Sequence, residues 1–73
     1  MTKEIWLDTR ELEAPQPLVL ALRSLENLQE DEVLVFHHRT SPTLLFGELQ
    51  ARGFVYEIIK DAPNEFMMKI FRS

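Results

Sequence analysis

Two polar clusters carry the side chains with which this chain could do chemistry, and each follows an apolar run. The first extends from Asp8 to Glu11, and the second extends from His37 to Ser41. Asp8, Glu11 and His38 leave an acid–base role open, since carboxyl and imidazole groups transfer protons in many enzymes. No Ser-His-acid motif, glycine-rich phosphate loop or metal-ligand cluster accompanies them in the sequence. We therefore predict a binding protein and not an enzyme.

The two adjacent histidines raise the question of a metal or haem site. Adjacent residues on a strand point to opposite faces of the sheet, so His37 and His38 are poorly placed to bind one ion together. The chain has no cysteine, and no carboxylate stands nearby at the spacing of a metal ligand. We expect no bound cofactor and keep His38 as the candidate ligand for a metal or haem. The alternative for either histidine is a solvated or capping side chain.

A turn with two prolines sets the start of the first predicted helix. Pro17 suits the first position of a helix, where a missing N–H costs nothing and a fixed φ helps. Each proline also favours an extended conformation at the residue before it, which is Ala14 for Pro15 and Gln16 for Pro17. The chain itself therefore sets the direction in which this helix begins.

Apolar runs and turn residues predict six elements in the order β-α-β-α-β-β. Apolar residues at helical spacing predict the first helix, while Ser41 is the expected N-cap of the second. Gly53 is a natural left-handed end for that second helix. The predicted strands are Glu4–Asp8, Val33–His38, Phe54–Lys60 and Glu65–Phe71, and the predicted helices are Pro17–Leu28 and Pro42–Arg52.

Right-handed crossovers place both helices on one face of the sheet if the first two strands are neighbours, which gives a two-layer α/β (α+β) sandwich. Strand alternation then predicts that these residues lie in the core: Phe54, Tyr56, Ile58, Phe66, Met68 and Ile70. The uncovered sheet face, called the open face below, is predicted to carry Trp6, Val55, Ile59, Met67 and Phe71. We expect a homodimer through this apolar face. The alternative is that strand register or twist buries some of these side chains.

Both helix N-termini and the ends of the first two strands are expected to meet at one edge of the sheet, where ligands bind in open α/β folds. Leu20 lies off the apolar stripe of its helix and is expected to be exposed there. Two interpretations stay open: a pocket or partner-docking edge, or a loop that Asp8 and Arg10 brace beside a helix that Ser41 caps. The predicted binding edge consists of Asp8, Arg10, Ala14, Pro15, Pro17, Leu20, His38, Arg39 and Ser41.

The composition excludes several classes of function. A chain of 73 residues predicts a single domain, 1–73. Its net charge of −4 has the wrong sign for a generic nucleic-acid binder. The absence of cysteine excludes disulfides, thiolate metal sites and persulfide carriage. The charged first residues and the lack of a long apolar run predict neither a signal peptide nor a membrane span, so we expect a cytoplasmic protein.

Two short segments resemble the signature of the TusA/SirA-like sulfur-carrier superfamily. Leu7 to Arg10 reads Leu-Asp-Thr-Arg, and Ala14 to Pro17 reads Ala-Pro-Gln-Pro at a helix start. Members of that superfamily carry Leu-Asp-x-(Arg or another polar residue) and then Cys-Pro-x-Pro. The resemblance covers nearly the whole chain and is greatest to uncharacterised TusA-like domains that lack the cysteine. It implies a mixed four-stranded sheet in the order 1-2-4-3.

The resemblance also marks a departure that decides the chemistry. Ala14 stands where the carrier cysteine would be, and sulfur relay requires a thiolate. Sulfur transfer is therefore excluded for this chain. We expect a small adaptor domain that binds a partner protein. The alternative is a small-anion or cofactor-binding domain with a redox-related role, in which Arg10 and His38 would contact the ligand.

Overall fold

The computed structural model describes residues 2–72, and its elements follow the predicted order. No helix within these residues is long and apolar enough to cross a membrane. In chain order the elements are β1 (Lys3–Asp8), α1 (Gln16–Glu26), β2 (Glu32–His38), α2 (Thr43–Arg52), β3 (Phe54–Ala62) and β4 (Glu65–Arg72).

The four strands form one mixed sheet in the order β1-β2-β4-β3, which confirms the predicted topology. β1 pairs with β2 in parallel, with Ile5 opposite Leu34. β2 and β3 each pair antiparallel with β4. Because β1 and β2 run in the same direction, their C-terminal ends lie at the same edge of the sheet. The loops that lead into α1 and α2 start from that edge.

Both helices pack on one face of the sheet, as the crossover rule predicts. The buried side chains of the two helices share one apolar cluster with alternate residues of β2 and β4. Each fully buried leucine, isoleucine, phenylalanine or methionine side chain of this cluster contributes roughly 1.5–3 kcal/mol. The core residues are Ala21 and Leu25 of α1, Leu45 and Leu49 of α2, Leu34 and Phe36 of β2, Phe66, Met68 and Ile70 of β4, and Leu28 after α1.

The two helices begin without a side-chain cap. Pro15 precedes α1, and Pro17 is its second residue, one position later than predicted. Gln16 is therefore helical, whereas an extended conformation had been expected. Pro42 is the N-cap of α2, so the prediction that Ser41 caps this helix was wrong. The Ser41 carbonyl oxygen, not its hydroxyl, accepts a bond from the Thr43 N–H at 3.1 Å. Gly53 ends α2 with φ of 77°, which confirms the predicted left-handed terminus.

Strand β3 is more exposed than strand alternation predicts. Tyr56 and Ile58 are 39% and 46% exposed, so their assignment to the core was wrong. β3 forms an edge of the sheet and pairs with β4 alone. A register shift between Ile58 and Lys60 interrupts that pairing, and Tyr56 stacks on Phe46 of α2 with 5.0 Å between the ring centroids. The edge position leaves one side of each of these side chains in solvent.

The open face is only partly apolar at its surface. Trp6, Val55 and Ile59 are exposed as predicted, whereas Met67 and Phe71 are half-buried. Charged side chains cover part of the face. Lys69 Nζ of β4 lies 3.2 Å from the Glu4 carboxylate of β1, and this ion pair spans β2, which lies between those strands. The predicted apolar surface is therefore smaller and is interrupted by charge.

Candidate functional site

A cavity of about 240 Å³ lies between the N-terminal ends of α1 and α2. Phe36 and Leu45 belong to the buried core and close its inner side. Leu44 stands at the mouth of the cavity. It is 75% exposed, more than any other large apolar residue in the described part of the chain. We call this cavity the proline pocket, and it is lined by Ala14, Pro15, Pro17, Leu18, Phe36, His38, Pro42, Thr43, Leu44 and Leu45.

The proline pocket contains part of the predicted binding edge. Four residues of that edge line it together: Ala14, Pro15, Pro17 and His38. The peptide bond between Ala14 and Pro15 is cis. The other predicted residues do not line the pocket: Asp8, Arg10, Leu20, Arg39 and Ser41. The structure therefore reduces the predicted edge to an apolar cavity with one imidazole.

Asp8 and Arg10 form a bidentate ion pair in the loop after β1. Arg10 Nε and a terminal guanidinium nitrogen donate to the two Asp8 carboxylate oxygens at 3.0 and 2.8 Å. The backbone N–H of Arg10 also donates to Asp8 at 3.0 Å. These hydrogen bonds from Arg10 hold the pKa of the Asp8 carboxyl well below its usual range. The pair braces the start of the loop that leads to α1. This agrees with the Asp8 and Arg10 part of the second interpretation, whose Ser41 cap was wrong.

Thr9 is the buried polar residue of this region, and its contacts determine which ring nitrogen of His38 carries the proton. The Thr9 hydroxyl donates to the His37 carbonyl oxygen at 2.9 Å. Its one proton is thereby used, so it must accept from His38 Nδ1 at 3.0 Å. The Thr9 carbonyl oxygen, which can only accept, lies 3.3 Å from the same nitrogen. Both contacts place the proton on Nδ1 and leave the lone pair on Nε2.

His38 lines the proline pocket, and the hydrogen-bond acceptor of its neutral ring is Nε2. Burial lowers the pKa of this imidazole; the hydrogen bond to the Thr9 carbonyl oxygen opposes that shift, and the nearby Arg39 charge adds to it. The ring is consequently neutral near pH 7. Thr9 holds Nδ1, so Nε2 is the ring nitrogen of His38 that is left for a ligand. Nε2 of His38 has no hydrogen-bond partner among the described residues. It is also not one of the polar side-chain atoms that are buried there without a partner.

His37 has different surroundings from His38. Its Nε2 lies 3.4 Å from the Glu65 carboxylate and is buried without a hydrogen bond in the described part of the chain. Lys60 Nζ contacts the same carboxylate at 2.8 Å. Lys60, and to a smaller extent His37, lowers the pKa of the Glu65 carboxyl. Among residues 2–72, no group of three or more histidine and acidic side chains is arranged to hold a metal ion.

The remaining predicted edge residues have separate roles. Arg39 donates to the Leu12 carbonyl oxygen at 2.9 Å and so ties the loop after β2 to the loop after β1. Ser41 lies in the turn before α2. Leu20 is half-buried, so the prediction that it is exposed beside the start of α1 was wrong. It lines a second groove, with Ile5 and Leu7 of β1, because its side of α1 faces that edge strand.

Sequence reasoning missed three parts of this site. Thr9 was treated only as part of a motif, although it is completely buried. Leu44 was not assigned a role, and Pro42 was treated only as the first residue of the second predicted helix. The sequence signal for Pro42 and Leu44 is their position in the first turn of the second predicted helix. Nothing in the sequence indicates the pairing of Thr9 with His38, which lies 29 positions further along the chain.

A family model described as an uncharacterized conserved protein (DUF2249) matches residues 6–72. No curated protein matches the chain, and no solved structure does.

Proposed function

The chain belongs to the uncharacterised conserved family DUF2249, and from that premise we propose that it is a small cytoplasmic docking module. It holds an apolar side chain of a partner protein in the proline pocket. The observation that carries this proposal is the pocket itself, which is open to solvent and lined by apolar side chains except at His38 and Thr43. Concave, mostly apolar surface with a few polar groups is the usual character of a binding site.

The size of the pocket favours a docked side chain over a cofactor. Pockets for drug-sized molecules measure about 300–1,000 Å³, and the proline pocket has about 240 Å³. The exposed Leu44 at its mouth would be covered by the partner segment around the docked residue. Burial of such a leucine contributes roughly 1.5–3 kcal/mol. The site therefore suits recognition by a short segment of protein.

We also propose kinship with the TusA-like sulfur carriers. The β-α-β-α-β-β order, the 1-2-4-3 sheet and the two-proline start of α1 support this relationship. In this chain Ala14 contributes to the rim of an apolar pocket at the position where the carriers have their cysteine. The scaffold would then retain partner docking without the sulfur atom that the carriers transfer.

A comparison of two charge insertions tests the docking proposal. Leu44→Glu places a carboxylate at the mouth of the proline pocket, whereas Val19→Glu makes the same change at an exposed residue of α1 outside it. We expect tagged wild-type chain and Val19→Glu to retain the same partner from the native cell and Leu44→Glu to lose it. Circular dichroism checks that both variants fold. Retention of the partner by Leu44→Glu would contradict the proposal.

The second candidate function is binding of a small anion or a cofactor, and the free Nε2 of His38 favours it. Arg10 weighs against it, because its guanidinium is bound to Asp8 and it does not line the pocket. Titration of the ¹⁵N-labelled chain with phosphate, zinc or haem distinguishes the two functions. Saturable shifts at both Arg10 and His38 would support ligand binding, and their absence would leave the docking role.

Self-association through the open face stays a proposal. Trp6 is 63% exposed, and Val55 and Ile59 are exposed with it on the same sheet. Sedimentation velocity over a range of concentrations tests whether these side chains support a homodimer. We expect Trp6→Glu to abolish any dimer, and a wild-type chain that sediments as a monomer at every concentration would contradict the proposal.

A further inference from the structure

The polar groups around the proline pocket restrict what its occupant can be. Among the side chains that line it, only His38 and Thr43 carry polar atoms. His38 Nε2 is an acceptor, because Thr9 keeps the proton of the neutral ring on Nδ1. An occupant that reaches this wall must therefore donate a hydrogen bond, or it leaves the imidazole lone pair without a partner when water is excluded.

The start of α2 supplies donors to the same pocket. This helix has no side-chain cap, and the first N–H groups of a helix have no partner within the helix. The Thr43 N–H is bound to the Ser41 carbonyl oxygen. Leu44 and Leu45 follow it in the first turn and line the pocket. Their N–H groups are the donors available to an acceptor on the occupant.

A phenolic hydroxyl satisfies both requirements. It has one O–H donor and lone pairs that accept, and the ring that carries it is apolar. An indole N–H only donates, a phenylalanine ring does neither, and the aliphatic hydroxyl side chains are too small to fill about 240 Å³. Tyrosine is the side chain that combines the size, the apolar ring and a tip that both donates and accepts.

We infer that the proline pocket binds a tyrosine side chain of the partner protein, with the phenolic O–H donating to His38 Nε2 and the phenolic oxygen accepting a first-turn N–H of α2. This inference rests on the proposed docking function and names the residue that anchors the partner. His38 then selects for the hydroxyl, and the prolines and leucines of the pocket contact the ring.

Fragments of tyrosine test the inference on the full chain. Dissociation constants for p-cresol, 4-methylanisole and toluene are measured by two-dimensional ¹H–¹⁵N NMR titration near pH 7. The methyl ether keeps the ring and loses the donor. We expect p-cresol to bind roughly three- to tenfold more tightly than either of the others, which is the range of one net hydrogen bond. Equal affinities for p-cresol and 4-methylanisole would overturn the inference.

Two variants assign the preference to the imidazole. His38→Phe keeps a ring and removes the acceptor, so the preference for p-cresol is expected to disappear. His37→Gln changes the neighbouring histidine outside the pocket and is expected to retain it. Persistence of the preference in His38→Phe would overturn the inference. If His38→Phe does not fold, the wild-type chain decides, because p-cresol must shift the ¹⁵N resonance of His38 Nε2 more than that of Nδ1.

A capped amino acid separates a protein-borne tyrosine from a free phenol. N-acetyl-tyrosinamide is expected to bind at least as tightly as p-cresol. Binding of p-cresol with exclusion of N-acetyl-tyrosinamide would show a site for free phenols and overturn the inference. Partner loss in Leu44→Glu without a p-cresol preference would leave the docking function intact and refute only the tyrosine anchor.

Discussion

Replacement of Thr9 by valine tests the contact that keeps the proton of the His38 ring on Nδ1. The Thr9 side chain is completely buried, and its hydroxyl bonds the His37 carbonyl oxygen and His38 Nδ1. Valine has nearly the same shape, so the change removes these hydrogen bonds without a large cavity. The free energy of unfolding is therefore expected to fall through lost hydrogen bonding alone.

The partners that remain limit the size of this loss. The His37 carbonyl oxygen keeps its bond from the Thr9 N–H at 2.8 Å. His38 Nδ1 keeps the Thr9 carbonyl oxygen at 3.3 Å. No buried group is left wholly without a partner, so each lost bond costs its net value of roughly 0.5–1.5 kcal/mol. We expect Thr9→Val to lower the free energy of unfolding by about 1–3 kcal/mol.

Urea denaturation followed by circular dichroism measures the loss, and Thr40→Val is the matched control. Thr40 is exposed, so the same chemical change there is expected to alter stability by less than about 0.5 kcal/mol. ¹⁵N NMR of the imidazole gives a second readout, because the proton on Nδ1 is expected to be less strongly held in Thr9→Val. A loss no larger than in the control, or a wild-type His38 protonated on Nε2 alone, would refute the reasoning.

Three further predictions concern stability. Leu45→Ala is expected to lower the free energy of unfolding by about 2–5 kcal/mol, because Leu45 is 1% exposed. Leu44→Ala at the pocket mouth is expected to change it by less than about 0.5 kcal/mol. Equal losses in urea denaturation would contradict the core assignment. Gly53→Ala is expected to destabilise the protein by about 1 kcal/mol, because φ at that residue is 77°. Gly47→Ala is expected to stabilise it by about 0.5–1 kcal/mol, because there is open space around that position of the helix. Thermal unfolding checks the sign of both effects. Burial lowers the pKa of His38, so the unfolded chain takes up the proton first as the pH falls below about 6.5. Stability is then complete above that pH and is lost as the pH falls through the lower folded pKa. Urea midpoints from about pH 8 to about pH 5 are expected to show a smaller decline in His38→Phe, and parallel curves would contradict this account.

Sequence reasoning was accurate where a few consecutive residues decide the structure. Pro17 lies at the start of α1, and Gly53 ends α2 in the left-handed region. Both outcomes follow from backbone preferences of single residues. The sheet order was expected from the resemblance to TusA-like domains, and strand pairing confirms it. Periodicity and crossover handedness supported only the two layers.

Position at the edge of the sheet and at the start of a helix explains where that reasoning failed. Tyr56 and Ile58 have the alternation of core residues, yet β3 lies at the edge of the sheet and leaves them exposed. The register of β3 places Tyr56 opposite Ile70 and Ile58 opposite Met68, so the alternation holds for both and the edge position alone exposes them. Serine is a common N-cap residue, but Pro42 and not Ser41 occupies the N-cap position of α2. Residue type alone does not distinguish an edge strand from a central one, or the N-cap residue of a helix from the residue before it.

The sequence by itself determined the order of the elements, the left-handed end of α2 at Gly53 and the absence of a thiol at Ala14. Only the tertiary structure decided that Thr9 holds His38 Nδ1 and that two uncapped helix starts enclose an apolar pocket. The physical reason is the range of the interactions. Backbone preferences act within a few neighbouring residues, whereas the Thr9–His38 pair depends on the register of two strands far apart in the chain.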